Sequence, residues 1–122
     1  MSRAARSLFA FGIYGVVAGL AIIAVPSRFL SATHLPTSPE GWMRVVGILA
    51  MVVGTYDISI ARAECLPLIR ASVLVRFGFA AGAVVLFVTG QMPASAVLLG
   101  AVDVSGATWT ILALKRDGVP VV

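Results

Sequence analysis

The chain has 122 residues, 60% of them hydrophobic and 11% charged, against about 45–50% and about 25% in soluble domains. A single domain of this size cannot bury so much apolar surface against itself, so the composition excludes an ordinary soluble globule and calls for lipid contact. The formal charge of +4 does not indicate nucleic acid, because the basic residues fall between apolar runs instead of gathering on one face.

The first apolar run, Leu8–Val25, follows Arg3 and Arg6. Secretory signals share that basic prelude, but no A-x-A site follows and the run ends in Pro26-Ser27-Arg28, so a retained helix is expected. Pro26 and the segment from Pro36 to Gly41 read as a turn and loop, with Thr37 and Glu40 in capping-box spacing. The second run is Trp42–Ala61, the third Ile69–Thr89 after Pro67, and the fourth Ala94–Leu114 after Gly90-Gln91-Met92-Pro93. Each approaches the roughly 20 residues needed to cross a hydrocarbon core of about 30 Å. The fold expected is all-α: one domain over residues 1–122, an integral membrane four-helix bundle.

Lys and Arg resist translocation, which sets the orientation. Arg3, Arg6, Arg62, Arg70, Lys115 and Arg116 flank one side and Arg28 the other. Both termini and the Arg62–Arg70 loop are therefore expected in the cytoplasm of a bacterial-type inner membrane, with Trp42 in the outer aromatic belt. Gly15 and Gly19, Gly47 and Gly54, Gly78 and Gly82, and Gly100 and Gly106 are placed where helices must approach. Packing within one bundle is the plainer reading of that pattern, with a homo-oligomer or a larger membrane complex left open.

The charges inside the runs carry the functional signal. A charge at membrane depth costs at least about 2.5–3.5 kcal/mol and persists only when something offsets it. At 1.5 Å per residue, Asp57 falls about 8 Å from the inner end of its helix, Arg76 about 9–10 Å and Asp103 about 16–17 Å. An arginine side chain spans those differences, so an inner Asp57–Arg76–Asp103 cluster is expected, with Asp103 nearest mid-membrane and most dependent on Arg76. Arg44, just inside Trp42, is expected near the outer interface, snorkelling toward Glu40 one turn away. Thr55 and Tyr56 beside Asp57, and Trp109 and Thr110 beyond Asp103, add hydrogen-bonding groups to this neighbourhood. A sealed ion network that fixes helix register and a polar pocket facing a cavity both fit these residues.

His34 reads as a solvated loop residue and Cys65 as an unmodified thiol in the inner loop. One cysteine excludes an internal disulfide, and one histidine leaves no zinc or haem spacing, so neither a metal nor a cofactor is expected.

The string Gly41-Trp42-Met43-Arg44-Val45-Val46-Gly47, followed by Gly54-Thr55-Tyr56-Asp57, resembles the small DoxX-like four-helix bacterial membrane proteins. Arg76-Phe77-Gly78, Gly100-Ala101-Val102-Asp103 and Trp109-Thr110 are similar to positions where such proteins carry an arginine and an acidic residue. The resemblance covers roughly Gly41 to Arg116. It implies a four-helix inner-membrane protein, in some cases associated with redox or quinone-linked partners, and it supplies no agreed catalytic residue.

Three functions fit these features. The first is a protein that binds or transports a lipophilic or weakly acidic small molecule, with Arg76 on its polar head, Asp57 and Asp103 tuning the charge, and Tyr56, Thr55, Trp109, Thr110 and Arg44 as further contacts. The second is an intramembrane acid–base enzyme, an isomerase, cyclase or epoxide hydrolase acting on a terpenoid or sterol-like substrate. There Asp57 and Asp103 would be held in different protonation states by Arg76, and Tyr56 would orient water. The third is a structural subunit of a larger membrane complex.

Overall fold

The computed structural model describes residues 1–36 and 38–121. The described residues form five helices: α1 (Arg3–Ala24), α2 (Pro26–Ala32), α3 (Glu40–Ala63), α4 (Leu66–Val88) and α5 (Ala94–Arg116). Apart from α2, each is long and apolar enough to cross a membrane. The 22 residues of α1 extend about 33 Å, slightly more than a hydrocarbon core. The long helices turn large apolar side chains outward, with Val17 59%, Leu74 73%, Leu98 68% and Val88 75% exposed. That is the surface a lipid-facing bundle presents.

Local chemistry sets the helix boundaries. The Ser2 Oγ accepts the Ala5 N–H at 3.1 Å and caps α1. The helix cannot run through Pro26, whose ring disfavours helical geometry at Val25 and whose nitrogen has no hydrogen to donate. The same proline then opens α2 from its first position, where the missing N–H is no loss. Pro26 was expected only to break the chain, yet it also starts a second, short helix. The N-cap of α3 is Pro39, without a side-chain cap bond, so Glu40 opens the helix instead of standing at its third position. The expected capping-box partner, Thr37, lies outside the described residues. The left-handed Glu64 (φ 49°) ends α3, its N–H donating to the Ala61 carbonyl at 3.1 Å. The spans overlap those expected from sequence and extend beyond them mainly at the Arg3 and Leu66 ends, with smaller extensions at Glu40, Ala63 and Arg116.

Two tight pairs make the bundle. Helices α1 and α3 pack backbone to backbone: a Cβ on Gly54 would lie 2.6 Å from the Gly12 carbonyl oxygen, and one on Gly19 would lie 2.5 Å from that of Gly47. Helices α4 and α5 meet where a Cβ on Gly100 would approach the Ala80 Cα to 3.0 Å. The pairs join through α1 and α5, whereas α3 and α4 touch little. Gly78 and Gly82 pack against nothing, since an added Cβ at either meets no atom within 4 Å. The expectation that this small-residue pair lies at a helix contact within the bundle is therefore overturned.

The two ends differ. At one end Ala4, Ala5, Leu8, Ala61, Ile69, Ala113 and Leu114 form a sealed core. At the helix termini beyond this core the Asp117 carboxylate accepts the Ala4 N–H at 3.1 Å, and Arg70 Nε donates to the Pro120 carbonyl at 2.8 Å. At the other end α2 folds over the bundle, with Ile22, Leu30 and Met43 as a smaller core. Ser95 Oγ donates to the His34 carbonyl at 2.8 Å and ties this cover to α5.

Candidate functional site

Above the sealed end lies a polar layer drawn from three helices. Ser7 of α1 and Thr110 of α5, 1% and 0% exposed, hold their hydroxyl oxygens 2.8 Å apart. Ser7 also reaches the Ala4 carbonyl at 2.7 Å and Thr110 the Gly106 carbonyl at 3.1 Å. The two hydroxyl hydrogens thus serve three contacts, and one contact is always without a proton.

Arg76 of α4 enters this layer and is 5% exposed. Its Nη1 donates to Thr110 Oγ1 at 3.4 Å and its Nη2 to Ser72 Oγ, one turn back, at 3.1 Å. The guanidinium carbon lies 4.5 Å from the centroid of the Phe11 ring, a desolvated cation–π contact. The buried Nε has no hydrogen-bond partner. Arg76 is therefore held by two hydroxyls and an aromatic face.

The expected ion cluster is not closed. Among the described residues the one ion pair is Arg44–Glu40, at 3.7 Å, so neither Asp57 nor Asp103 contacts Arg76 directly. Both carboxylates act on the guanidinium through space. Two of the five guanidinium N–H groups go to hydroxyls, one on its own helix and one on α5, and Phe11 lies over the face turned to α1. No hydrogen bond among the described residues reaches either carboxylate.

What Asp57 and Asp103 face instead is a cavity of about 530 Å³. Its walls are apolar: Tyr14, Ala18 and Ile22 of α1, Val46 and Val53 of α3, and Leu99 of α5 are among them, with Phe29 and Leu30 of α2 at the covered end. Phe11 also lines it. Its ring therefore stands between the cavity and Arg76, and it leans on Tyr14 with centroids 5.4 Å apart. The cavity lies among α1, α3 and α5, with Phe79 of α4 at its edge, where α3 makes little contact with the α4–α5 pair.

The other candidates separate according to helical face. Thr110 is buried and belongs to the polar layer, as described above. Tyr56 is 66% and Trp109 51% exposed, both turned away from the cavity. Thr55 is also exposed and returns its hydroxyl to the Met51 carbonyl of its own helix at 2.8 Å. The expectation that these three line the site is corrected, because adjacent helical residues point about 100° apart. Turning Asp57 inward turns Tyr56 out. Without Tyr56, the enzyme reading has no group in the position expected to orient water. Arg44 stays apart as expected, its side chain 48% exposed, paired with Glu40, and its Nε donating to the Ile23 carbonyl at 3.2 Å.

Sequence reasoning passed over Ser7, Ser72, Phe11 and Tyr14 as site residues. A signal existed for Ser72, one turn from Arg76 and on the same face, but serines at Ser7 and Ser72 barely disturb an apolar run. Comparison of the chain with protein-family models, with curated proteins and with solved structures finds no match.

Proposed function

We propose that the chain is a multi-pass protein of the bacterial inner membrane, with both termini cytoplasmic, that binds or carries a lipophilic small molecule between α1, α3 and α5. The cavity carries this reading: about 530 Å³ falls within the roughly 300–1,000 Å³ of small-molecule sites, and apolar walls with a few polar groups are their usual make-up. The basic residues at Arg3, Arg6, Arg62, Arg70, Lys115 and Arg116 support the orientation. Membership of the DoxX-like proteins is part of the same proposal and rests on the quoted motifs. Arg76, shielded by Phe11, is not given the role of holding a ligand head.

The test is uptake of a neutral lipophilic dye, Nile red, by purified protein in detergent. Saturable binding is expected, and Leu99→Trp, which puts a ring into the cavity wall, should weaken it at least about tenfold. Dye uptake that neither saturates nor responds to Leu99→Trp would remove the cavity as a binding site.

A further inference from the structure

The charge around the cavity does not balance. Two carboxylates, Asp57 and Asp103, border it, and the cation that acts on both is a single arginine. That cation is also set back: each Nη donates one hydrogen bond, to Thr110 and to Ser72, Phe11 covers one face, and Arg76 is not among the residues that line the cavity. The carboxylates themselves receive no hydrogen bond from any described residue. A bare negative charge beside an apolar cavity at membrane depth is costly and is kept where a counter-charge reaches it.

A lipophilic anion entering this space would meet two carboxylates with the guanidinium behind a ring. A neutral molecule would fill the volume and leave the charge as it was. An occupant with an apolar body and a positive head would do both, its body against Val46, Val53, Leu99 and Ile22 and its head between Asp57 and Asp103. Tyr14, the remaining ionisable group on the wall, presents an aromatic ring that adds to cation recognition.

Resting on the binding-site reading above, we propose that the cavity is selective for lipophilic cations, its charge set by Asp57 and Asp103 against an arginine that Phe11 keeps from the occupant. A proton neutralises a carboxylate as a cation head does, so the two compete. The ionisable groups facing this region are Tyr14 from α1, Asp57 from α3, Arg76 from α4 and Asp103 from α5. The charged residue of α2, Arg28, is exposed and sits on the cover. Cation affinity should accordingly fall as pH falls, with protons taken up as the cation is released.

The experiment compares tetraphenylphosphonium with tetraphenylborate, two ions of nearly the same size and shape and opposite charge, by equilibrium binding to the full chain in an uncharged detergent. Tetraphenylphosphonium is expected to bind at least about tenfold more tightly, a difference of about 1.4 kcal/mol, and to be displaced by Nile red. Asp57→Asn and Asp103→Asn should each reduce that preference, and Asp103→Glu should restore it relative to Asp103→Asn. Equal or tighter binding of the borate by wild-type protein would overturn cation selectivity whether or not the variants fold, while saturable Nile red binding sensitive to Leu99→Trp would leave the cavity itself standing as a site. Loss of all three probes would remove both. A phosphonium preference that survives Asp57→Asn and Asp103→Asn in monodisperse protein would also refute the assignment, because the selectivity would then lie elsewhere.

Discussion

The glycines within the long helices include two kinds that should respond oppositely to the same substitution. At Gly54 an added methyl would lie 2.6 Å from the Gly12 carbonyl oxygen and 2.8 Å from the Val16 nitrogen. Ordinary contact begins near 3.4 Å, so α1 and α3 would have to part by about 0.8 Å there. The obstacles are backbone atoms, which cannot turn aside as a side chain can. Overpacking costs about 1–3 kcal/mol, and a rigid backbone obstacle places Gly54→Ala toward the upper end. The better helix propensity of alanine returns up to about 1 kcal/mol. A net loss of about 2 kcal/mol is expected. Gly82→Ala meets no atom within 4 Å, keeps only the propensity gain, and should be neutral or stabilising by up to about 1 kcal/mol. Equilibrium unfolding in mixed detergent–SDS micelles measures both. Equal stabilities for Gly54→Ala and wild type, or a Gly82→Ala loss as large as that of Gly54→Ala, would refute the assignment of the tight seam to α1 and α3.

Other substitutions probe the polar layer, the sealed end and the orientation. Arg76→Leu removes the donors to Ser72 and Thr110 and the positive charge that acts on both carboxylates, and should cost about 1.5–3 kcal/mol. Arg44→Leu breaks an ion pair with a half-exposed side chain and should cost under about 1 kcal/mol; equal thermal shifts in detergent would contradict this ordering. Asp117→Ala removes the carboxylate that accepts backbone N–H groups of Arg3 and Ala4 at the start of α1, an effect comparable to losing a helix cap, about 0.5–2 kcal/mol. An unchanged melting temperature would show that those bonds contribute nothing. Single cysteines introduced beside Thr33 should react with an impermeant reagent added outside intact cells, and those beside Lys115 should not. Outside labelling near Lys115 would reverse the orientation.

The positions of the long helices follow from the sequence because lipid imposes a length and a composition that few other environments demand. The short helix α2 escapes the same reasoning: seven residues are too few to show a helical period, and a proline reads equally as a stop and as a start. The charged residues Asp57, Arg76 and Asp103 are conspicuous in apolar runs, and the fold does bring them into one region. Their connection is not legible, because it depends on Ser72 and Thr110, whose hydroxyls are unremarkable in a membrane helix, and on where Phe11 places its ring. Tyr56 and Trp109 mislead in the opposite direction: proximity along the chain marks them, whereas helical rotation turns them to the outside.

Phe11 links these observations. Its ring lies so close over Gly106 that a Cβ there would fall 2.5 Å from it, and this absence of a side chain on α5 lets α1 approach. The same ring stacks on the Arg76 guanidinium and lines the cavity. One side chain thus sets the approach of α1 to α5, holds the arginine in the polar layer and keeps that arginine off the cavity wall. The acidic character of the cavity is therefore not simply a matter of which charges the chain contains. A smaller residue at position 11 would leave the formal charges unchanged and uncover the guanidinium, giving the charged groups Asp57, Arg76 and Asp103 a different face toward an occupant. The selectivity assigned to the cavity lives in aromatic packing between α1 and α5 as much as in Asp57 and Asp103.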